Sequence, residues 1–371
     1  MIVGVVAETK ADEYRVGLLP VGVRLLREDG HRVVLQAAAG QGSGISDEEY
    51  ADAGAEIVPN AAAVFRDAEL IVKVKEPQPD ELKLLGPQHV VFGYFHFAGS
   101  RDLTTACLQA GFTAIAYETL RDTAGRLPLL TPMSEVAGRL AVQSAAKYLE
   151  RPMQGRGVLL GGVPGVERGQ VLVIGAGIVG SNAARLAAGL GADVVLMDNN
   201  LERLRQLDQV MPANVRTAFS DPDAIARHLR EADAVIGAVL VPGRRAPQLI
   251  RRHHLSTMKA GAVLVDVCID QGGCAETSKP TTHSQPTYVV DGVVHYCVAN
   301  MPGAVGRTST LALCNATLPY VRRLAALGPS DFCRAESGQQ AALNLYQGAL
   351  CQPELADAFP DLPVQLSPLR S

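Results

Sequence analysis

The stretch from Gln170 to Asp198, QVLVIGAGIVGSNAARLAAGLGADVVLMD, restricts the fold more than any other part of this chain. An apolar run, Val171 to Ile174, meets glycines at 175, 177 and 180. A small-residue segment of helical period follows, and then a second apolar run that closes on Asp198. The pattern predicts strand, tight turn, helix, strand. In that order Gly175 permits the turn, Gly177 lets backbone approach a pyrophosphate, and Gly180 lets the helix pack closely on the strand, with the phosphates at the positive N-terminus of the helix. Asp198 ends the second run, where a carboxylate accepts hydrogen bonds from an adenosine ribose. An acid there favours NAD, because the 2′-phosphate of NADP would face a like charge. A glycine-rich turn that only packs is the alternative; the strand before, the helix after and the acid at this distance favour the dinucleotide.

The rest of the composition sets bounds. A chain of 371 residues buries two cores, and 47% hydrophobic against 19% charged residues argues against extensive disorder. A net charge of −4 without a basic block argues against a nucleic-acid surface; Arg244-Arg245 and Arg251-Arg252 are short and read as solvated faces. The start, MIVGVVAETK, reads as a strand without a basic leader or cleavage site, which predicts a cytoplasmic chain. No apolar stretch approaches the roughly 20 residues of a membrane helix, so no membrane span is expected. The seven cysteines, at 107, 268, 274, 297, 314, 333 and 351, show no metal-ligand spacing and read as small buried hydrophobes in a reducing compartment. His253-His254 point apart on a helix, and no metal site is expected.

Residues 1 to about 128 form an α/β unit of their own. IVGVVAE, HRVVLQ, AELIVKVK and HVVFGYF are rich in valine and isoleucine, with helical pattern between them, which predicts a mainly parallel sheet. Arg15 follows the first strand, Lys75 closes another before Pro77, and His96 closes a third. Ligands collect beyond the carboxyl ends of strands in open α/β sheets, so these positions share one kind of location. Thr131 reads as the cap of a helix with Pro132 in its first turn, running through Tyr148; its inward Ala137, Gly138, Ala141 and Ala145 predict a close-packed neighbour. GRGVLLGGVPGVERG reads as a turn-rich ribbon. After Asp198 strands are expected at 214–219, 234–239 and 262–267, a hairpin turn at Asp291-Gly292, and a helix from Thr308. The C-terminal tail, ending LSPLRS, reads as loosely held. The fold class is α/β: two Rossmann-like doubly wound domains joined by long helices, 1–128 with 307–371 and 129–306, the N-terminal one discontinuous.

A nicotinamide enzyme needs a place for the ring, a grip on the substrate and a group for the released proton. Arg15 and Lys75 together bind a small carboxylate, Arg bidentate and Lys as a point charge; alone, each reads as a surface cation. His96 has the chemistry of a proton carrier, though a lone histidine at a strand end is also an ordinary polar residue. Asp270, in VDVCIDQGG, stands in a glycine-bounded loop after a buried strand, as a proton carrier or a turn cap.

Four runs carry a resemblance: GVLLGGVPGV, VLVIGAGIVG, VDVCIDQGGCAETSKPTTH and HYCVANMPGAVGRTSTLALCNATLPY. Together with EYRVGLLP near the start, they make the chain similar to the bacterial alanine dehydrogenases, a family related to the α chain of the proton-pumping transhydrogenase. The resemblance implies NAD-dependent oxidative deamination of L-alanine to pyruvate and ammonium. Arg15 and Lys75 then hold the substrate carboxylate, His96 and Asp270 act as the acid/base pair, and Tyr94, Leu130, Met133 and Asn300 shape the pocket. For the cofactor it implies Ser134, Gly175, Gly177, Gly180, Asp198, Ser220, Val239, Val298 and Met301. It also implies a homohexamer, and an active site in a cleft between the domains. Gly306, Gly17, Leu19, Phe95 and Phe97 depart from the family pattern and bear on pocket size and loop stiffness. Another amino-acid dehydrogenase and the nucleotide-binding subunit of a transhydrogenase are the alternatives.

Overall fold

The computed structural model describes residues 1–239, 245–366, 368 and 369; Arg244, and Ser367, Arg370 and Ser371 of the tail, lie outside them. The described strands are β1 (Ile2–Val5), β2 (Arg32–Gln36), β3 (Glu56–Val58), β4 (Leu70–Val72), β5 (Val90–Gly93), β6 (Thr113–Ala116), β7 (Gln170–Ile174), β8 (Asp193–Asp198), β9 (Val215–Phe219), β10 (Ala234–Gly237), β11 (Val263–Asp266), β12 (Thr287–Val290), β13 (Val293–Tyr296), β14 (Leu343–Tyr346) and β15 (Ala349–Leu350). They form two sheets, ordered β15-β14-β6-β5-β4-β1-β2-β3 and β12-β13-β11-β10-β7-β8-β9. Strands β1 to β6 are mutually parallel, with β14 antiparallel to β6 and β15 antiparallel to β14; in the second sheet only β12 runs antiparallel.

The chain divides into two compact units, Met1–Met133 with Gly303 onward, and Ser134–Pro302. In each, the first strand lies in mid-sheet and the order grows outward on both sides of it, the doubly wound arrangement. The direction reverses between β1 and β4 in the first unit and between β7 and β10 in the second. The crevice outside the carboxyl ends of the strands at such a point is where ligands sit.

Alternation along the strands explains why the second sheet is covered on both faces. Val171, Val173, Val194 and Leu196 face one apolar core with the alanines of helix Ile178–Gly189, while Leu172, Ile174, Val195 and Met197 face another with Ile225 and Leu229. The first unit buries Val34, Ile71, Val91 and Ala114 with Phe65 and Phe112 on one face. On its other face Phe92 meets Tyr117 edge-on and Phe332 of the long helix Gly306–Ala335. That helix breaks at Gly328, φ 73°, ahead of Pro329, which cannot continue the ladder.

The glycines of the fingerprint divide their work. Gly175 has φ 100°, a conformation that favours glycine, and a Cβ on Gly180 would lie 1.7 Å from the Gly175 carbonyl oxygen, so helix and strand meet there at backbone contact. Gly177 precedes the helix and has open space where a side chain would stand. The expected close-packed neighbour of Gly138 is this same helix: a Cβ there would lie 2.2 Å from the Val179 carbonyl oxygen. Asp291 and Gly292, both with positive φ, make the hairpin turn between β12 and β13.

Three expectations are corrected. Thr131 is the first residue of its helix, Thr131–Tyr148, and not its cap, because its N–H and its hydroxyl both already donate to the Leu127 carbonyl. Strands β4 and β5 stop at Val72 and Gly93, so Lys73, Lys75 and His96 lie in the connections beyond them. The described part of the tail is held: Pro363 and Gln365 bond the backbone of Leu350 at 2.8 Å each, and Asp361 pairs with Arg101.

Candidate active site

In the first unit every candidate follows the carboxyl end of a parallel strand. After β1 come Glu8, Glu13 and Arg15. The Glu13 carboxylate accepts from Arg15 Nε at 2.6 Å, from Nη2 at 2.5 Å and from the Arg15 backbone N–H at 3.1 Å. Arg15 Nη1 donates to the Met133 sulfur at 3.0 Å. Both partners of this pair are buried. Burial works against the guanidinium, but the hydrogen bonds and charge of Glu13 outweigh it, and its net shift is upward. Glu13 engages the Nε/Nη2 edge of the Arg15 fork, and the Met133 sulfur takes Nη1.

The two lysines after β4 have opposite fates. Lys73 is fully buried between Glu81, 2.7 Å away, and Glu8, 3.3 Å away. Burial disfavours its ammonium, yet the two carboxylates outweigh that and raise it above the ordinary lysine value. One ammonium shared by two carboxylates leaves Glu8 under-compensated, and burial pushes Glu8 upward despite its bonds from Lys73 and the Val74 N–H. Lys75 is half-buried, and no ion pair among the described residues holds it. Burial first, then the neighbouring Arg15 charge, lowers its pKa.

After β5 the chain turns sharply. His96 sits in the left-handed region, φ 52° and ψ 41°, uncommon for a residue with a side chain. Glu118, just past β6, holds the turn by accepting the His96 N–H at 2.6 Å and the Phe95 N–H at 3.2 Å. The exposed His96 ring lies parallel to the buried Tyr94 ring, centroids 5.9 Å apart, and the Tyr94 hydroxyl donates to the Leu129 carbonyl. Leu130 is half-buried beside that carbonyl and Met133 is buried. Arg15, Lys75, Tyr94, His96 and Met133 are thus brought together at one sheet edge. Phe95 and Phe97 are not part of it: they stack at 4.7 Å inside the core. Gly306 has a packing reason, since a Cβ there would lie 2.7 Å from the Tyr14 backbone oxygen, and Gly17 is likewise pressed against the Val72 carbonyl.

The second unit repeats the logic. The Gly175–Gly177 turn follows β7, and its Ala176 N–H donates to Asp198 Oδ2 at 2.7 Å, while Asp198 Oδ1 accepts from the Asn200 N–H. Ser220 follows β9 and bonds the Asp198 carbonyl; Val239 follows β10 and donates its N–H to the Cys268 sulfur at 3.0 Å. Asp270 is exposed on the 3-10 turn Val267–Gln271 after β11, ahead of Gly272 and Gly273, both with positive φ. Beyond β13 lie the buried Val298 and Met301, with Asn300 between them at φ 60°. Ser134 is half-buried on the helix Thr131–Tyr148. The open space at Gly177 and the backbone N–H groups at the start of helix Ile178–Gly189 fit a dinucleotide pyrophosphate.

Residues 4–137 match the model of the alanine dehydrogenase/PNT N-terminal domain, and residues 141–353 match that of the C-terminal domain. The chain belongs to the alanine dehydrogenase/PNT family. It is 54% identical to the alanine dehydrogenase of Halomonas elongata, covering 97% of each chain, and 51% identical to that of Bacillus subtilis over 94% of this chain and 92% of that one. A solved L-alanine dehydrogenase superposes with a TM-score of 0.94 at 49% identity, covering 97% of this chain and 99% of that one. A transhydrogenase from Sinorhizobium meliloti superposes at 0.81 with 27% identity, covering 95% and 99%. No helix among the described residues is long and apolar enough to cross a membrane.

Sequence reasoning missed Glu8, Glu13, Lys73, Glu81 and Glu118. Glu13 lies two residues before Arg15 and Glu81 eight after Lys73 in the same connection, whereas Glu8 and Glu118 meet their partners across neighbouring strands. The shared ammonium makes a specific demand. Lys73→Met strands two buried carboxylates, and a loss of about 3–5 kcal/mol is expected at neutral pH. Burial raises the Glu8 pKa in the folded state, so Glu8 binds its proton more tightly there than when unfolded. Stability of the variant therefore recovers as pH falls through that raised range towards the unfolded value. Urea denaturation at pH 7 and pH 5 measures this, and an equal deficit at both would refute the assignment.

Proposed function

We propose that this chain catalyses the reversible oxidative deamination of L-alanine: alanine, NAD and water give pyruvate, ammonium, NADH and a proton. The observation that carries the reading is the gathering of Arg15, Lys75, Tyr94 and His96 at one sheet edge, in a chain about half identical to alanine dehydrogenases over nearly its whole length. Arg15 and Lys75 hold the substrate carboxylate. Tyr94, Leu130, Met133 and Asn300 limit the side chain that fits. When bound, the nicotinamide accepts the hydride from the α-carbon. His96 carries the proton at the atom on that carbon, and Asp270 takes a proton from the water that attacks the imine.

Ser134, Gly175, Gly177, Gly180, Asp198, Ser220, Val239, Val298 and Met301 form the NAD site in this reading, with Asp198 on the adenosine ribose. The chain works as a cytoplasmic homohexamer on small-molecule substrates.

Purified protein with NAD and a panel of amino acids is expected to produce NADH fastest with L-alanine; a faster rate with a larger amino acid overturns the substrate. No turnover with any of them instead favours the transhydrogenase-subunit reading, which the likeness at 27% identity supports. Asp270→Asn is expected to lower kcat by about 10²–10⁴-fold with NAD affinity unchanged, and wild-type turnover would remove Asp270 from the mechanism. Asp198→Ala is expected to cost NAD affinity roughly 10–100-fold, the worth of hydrogen bonds to a charged group, and to shift preference towards NADP. Because Asp198 also braces the glycine turn, the NAD to NADP ratio is the deciding measurement: an unaltered ratio leaves it only the brace.

A further inference from the structure

Three acidic donors that the proposed reaction does not use meet inside the second unit. Asp266 ends β11, Cys268 follows two residues later, and Cys274 returns across the glycine turn; one ligand atom of each lies within 4.8 Å of the others, and all three residues are buried. The backbone places them. Asp266 Oδ1 accepts the Cys268 N–H at 3.1 Å and Oδ2 accepts the Cys274 N–H at 2.8 Å, so one carboxylate ties down both cysteines. The Gly273 N–H bonds the Cys268 carbonyl at 3.1 Å and closes the loop between them.

The surroundings suit a cation. The Cys274 sulfur fills the side-chain space of Gly237: a Cβ on that glycine would lie 2.2 Å from the sulfur and 3.3 Å from Asp266 Oδ1. Oδ2 also receives the Ala275 N–H and the Ser278 hydroxyl, and the Cys274 thiol is in hydrogen-bond contact with the same carboxylate. The Val239 N–H aims at the Cys268 sulfur at 3.0 Å. No ion pair with Asp266 is formed among the described residues.

We propose that Asp266, Cys268 and Cys274 form a binding site for a soft divalent cation, Zn²⁺ or Cd²⁺, held by two thiolates and one carboxylate oxygen. Binding forms two metal–sulfur bonds and one metal–oxygen bond and releases the two thiol protons to solvent, with no change of oxidation state. Zinc-type bond lengths put tetrahedral ligands about 3.5–3.8 Å apart, so donors that lie within 4.8 Å of one another close by no more than about 1.3 Å. Two sulfurs select soft ions over Mg²⁺ or Ca²⁺. Asp270 stands between the two cysteines in the chain, so occupancy staples the turn that carries it.

The test is titration of the reduced full-length protein with Cd²⁺, followed by thiolate-to-cadmium charge-transfer absorbance. A band saturating at one ion per chain is expected. Zn²⁺ is expected to displace it and Mg²⁺ to leave it unchanged. Cys268→Ala and Cys274→Ala are each expected to abolish it, and Cys107→Ala, which removes a buried thiol of the other unit, to keep it. The ¹¹³Cd resonance of the wild-type complex gives a readout independent of any variant, and a shift of a two-sulfur, oxygen-containing set is expected. Absence of the band in the wild type, its survival in Cys268→Ala, or a resonance without sulfur ligands overturns the site.

Discussion

Parallel pairing is the constraint on which the rest depends. Strands that all run one way bring all their carboxyl ends to one edge, and the reversal of order beside the first strand opens a crevice at that edge. Both sheets obey it, with β1 and β4 flanking the reversal in one unit and β7 and β10 in the other. Residues far apart in the chain, such as Arg15 and Lys75 or Gly177 and Asp270, come to the same edge of their sheet for this reason alone. Valine and isoleucine repay the arrangement by burying both faces of each strand.

Charge at the first unit's edge is largely compensated within the protein. Glu13 holds Arg15, and Glu8 with Glu81 holds Lys73. Of the cations beyond β4, only Lys75 stays outside the described ion pairs, with its ammonium weakened by burial and by Arg15. A network that satisfies its members internally fixes the direction of each side chain, because a buried charge without its partner costs several kcal/mol. Glu118 does the same for backbone, holding His96 in a conformation that few residues adopt unaided.

Much of this was legible. The glycine fingerprint, the valine-rich runs and Asp291-Gly292 each carry a local signal, since period, turn chemistry and spacing act over a few residues. β3, β6 and the antiparallel pair β14 and β15 were not placed, being short strands whose neighbours in the sheet lie elsewhere in the chain. The described part of the tail was misjudged because proline content reports local stiffness and says nothing of the Leu350 backbone that receives it. Phe95 and Phe97, which flank His96 in the sequence, turn into the core because the tight turn sends successive side chains apart.

The sequence by itself determined the fold class and the glycine turn ahead of the nucleotide-binding helix, and it offered candidates for holding a carboxylate or carrying a proton, because these follow from residue type and short-range spacing. Only the tertiary structure decided which cations are engaged internally, which carboxylates brace them, and that Cys268 and Cys274 share a pocket with Asp266. Ion pairs and ligand sets depend on distances of a few ångströms between segments that the linear order separates, and those distances exist only once the strands have paired.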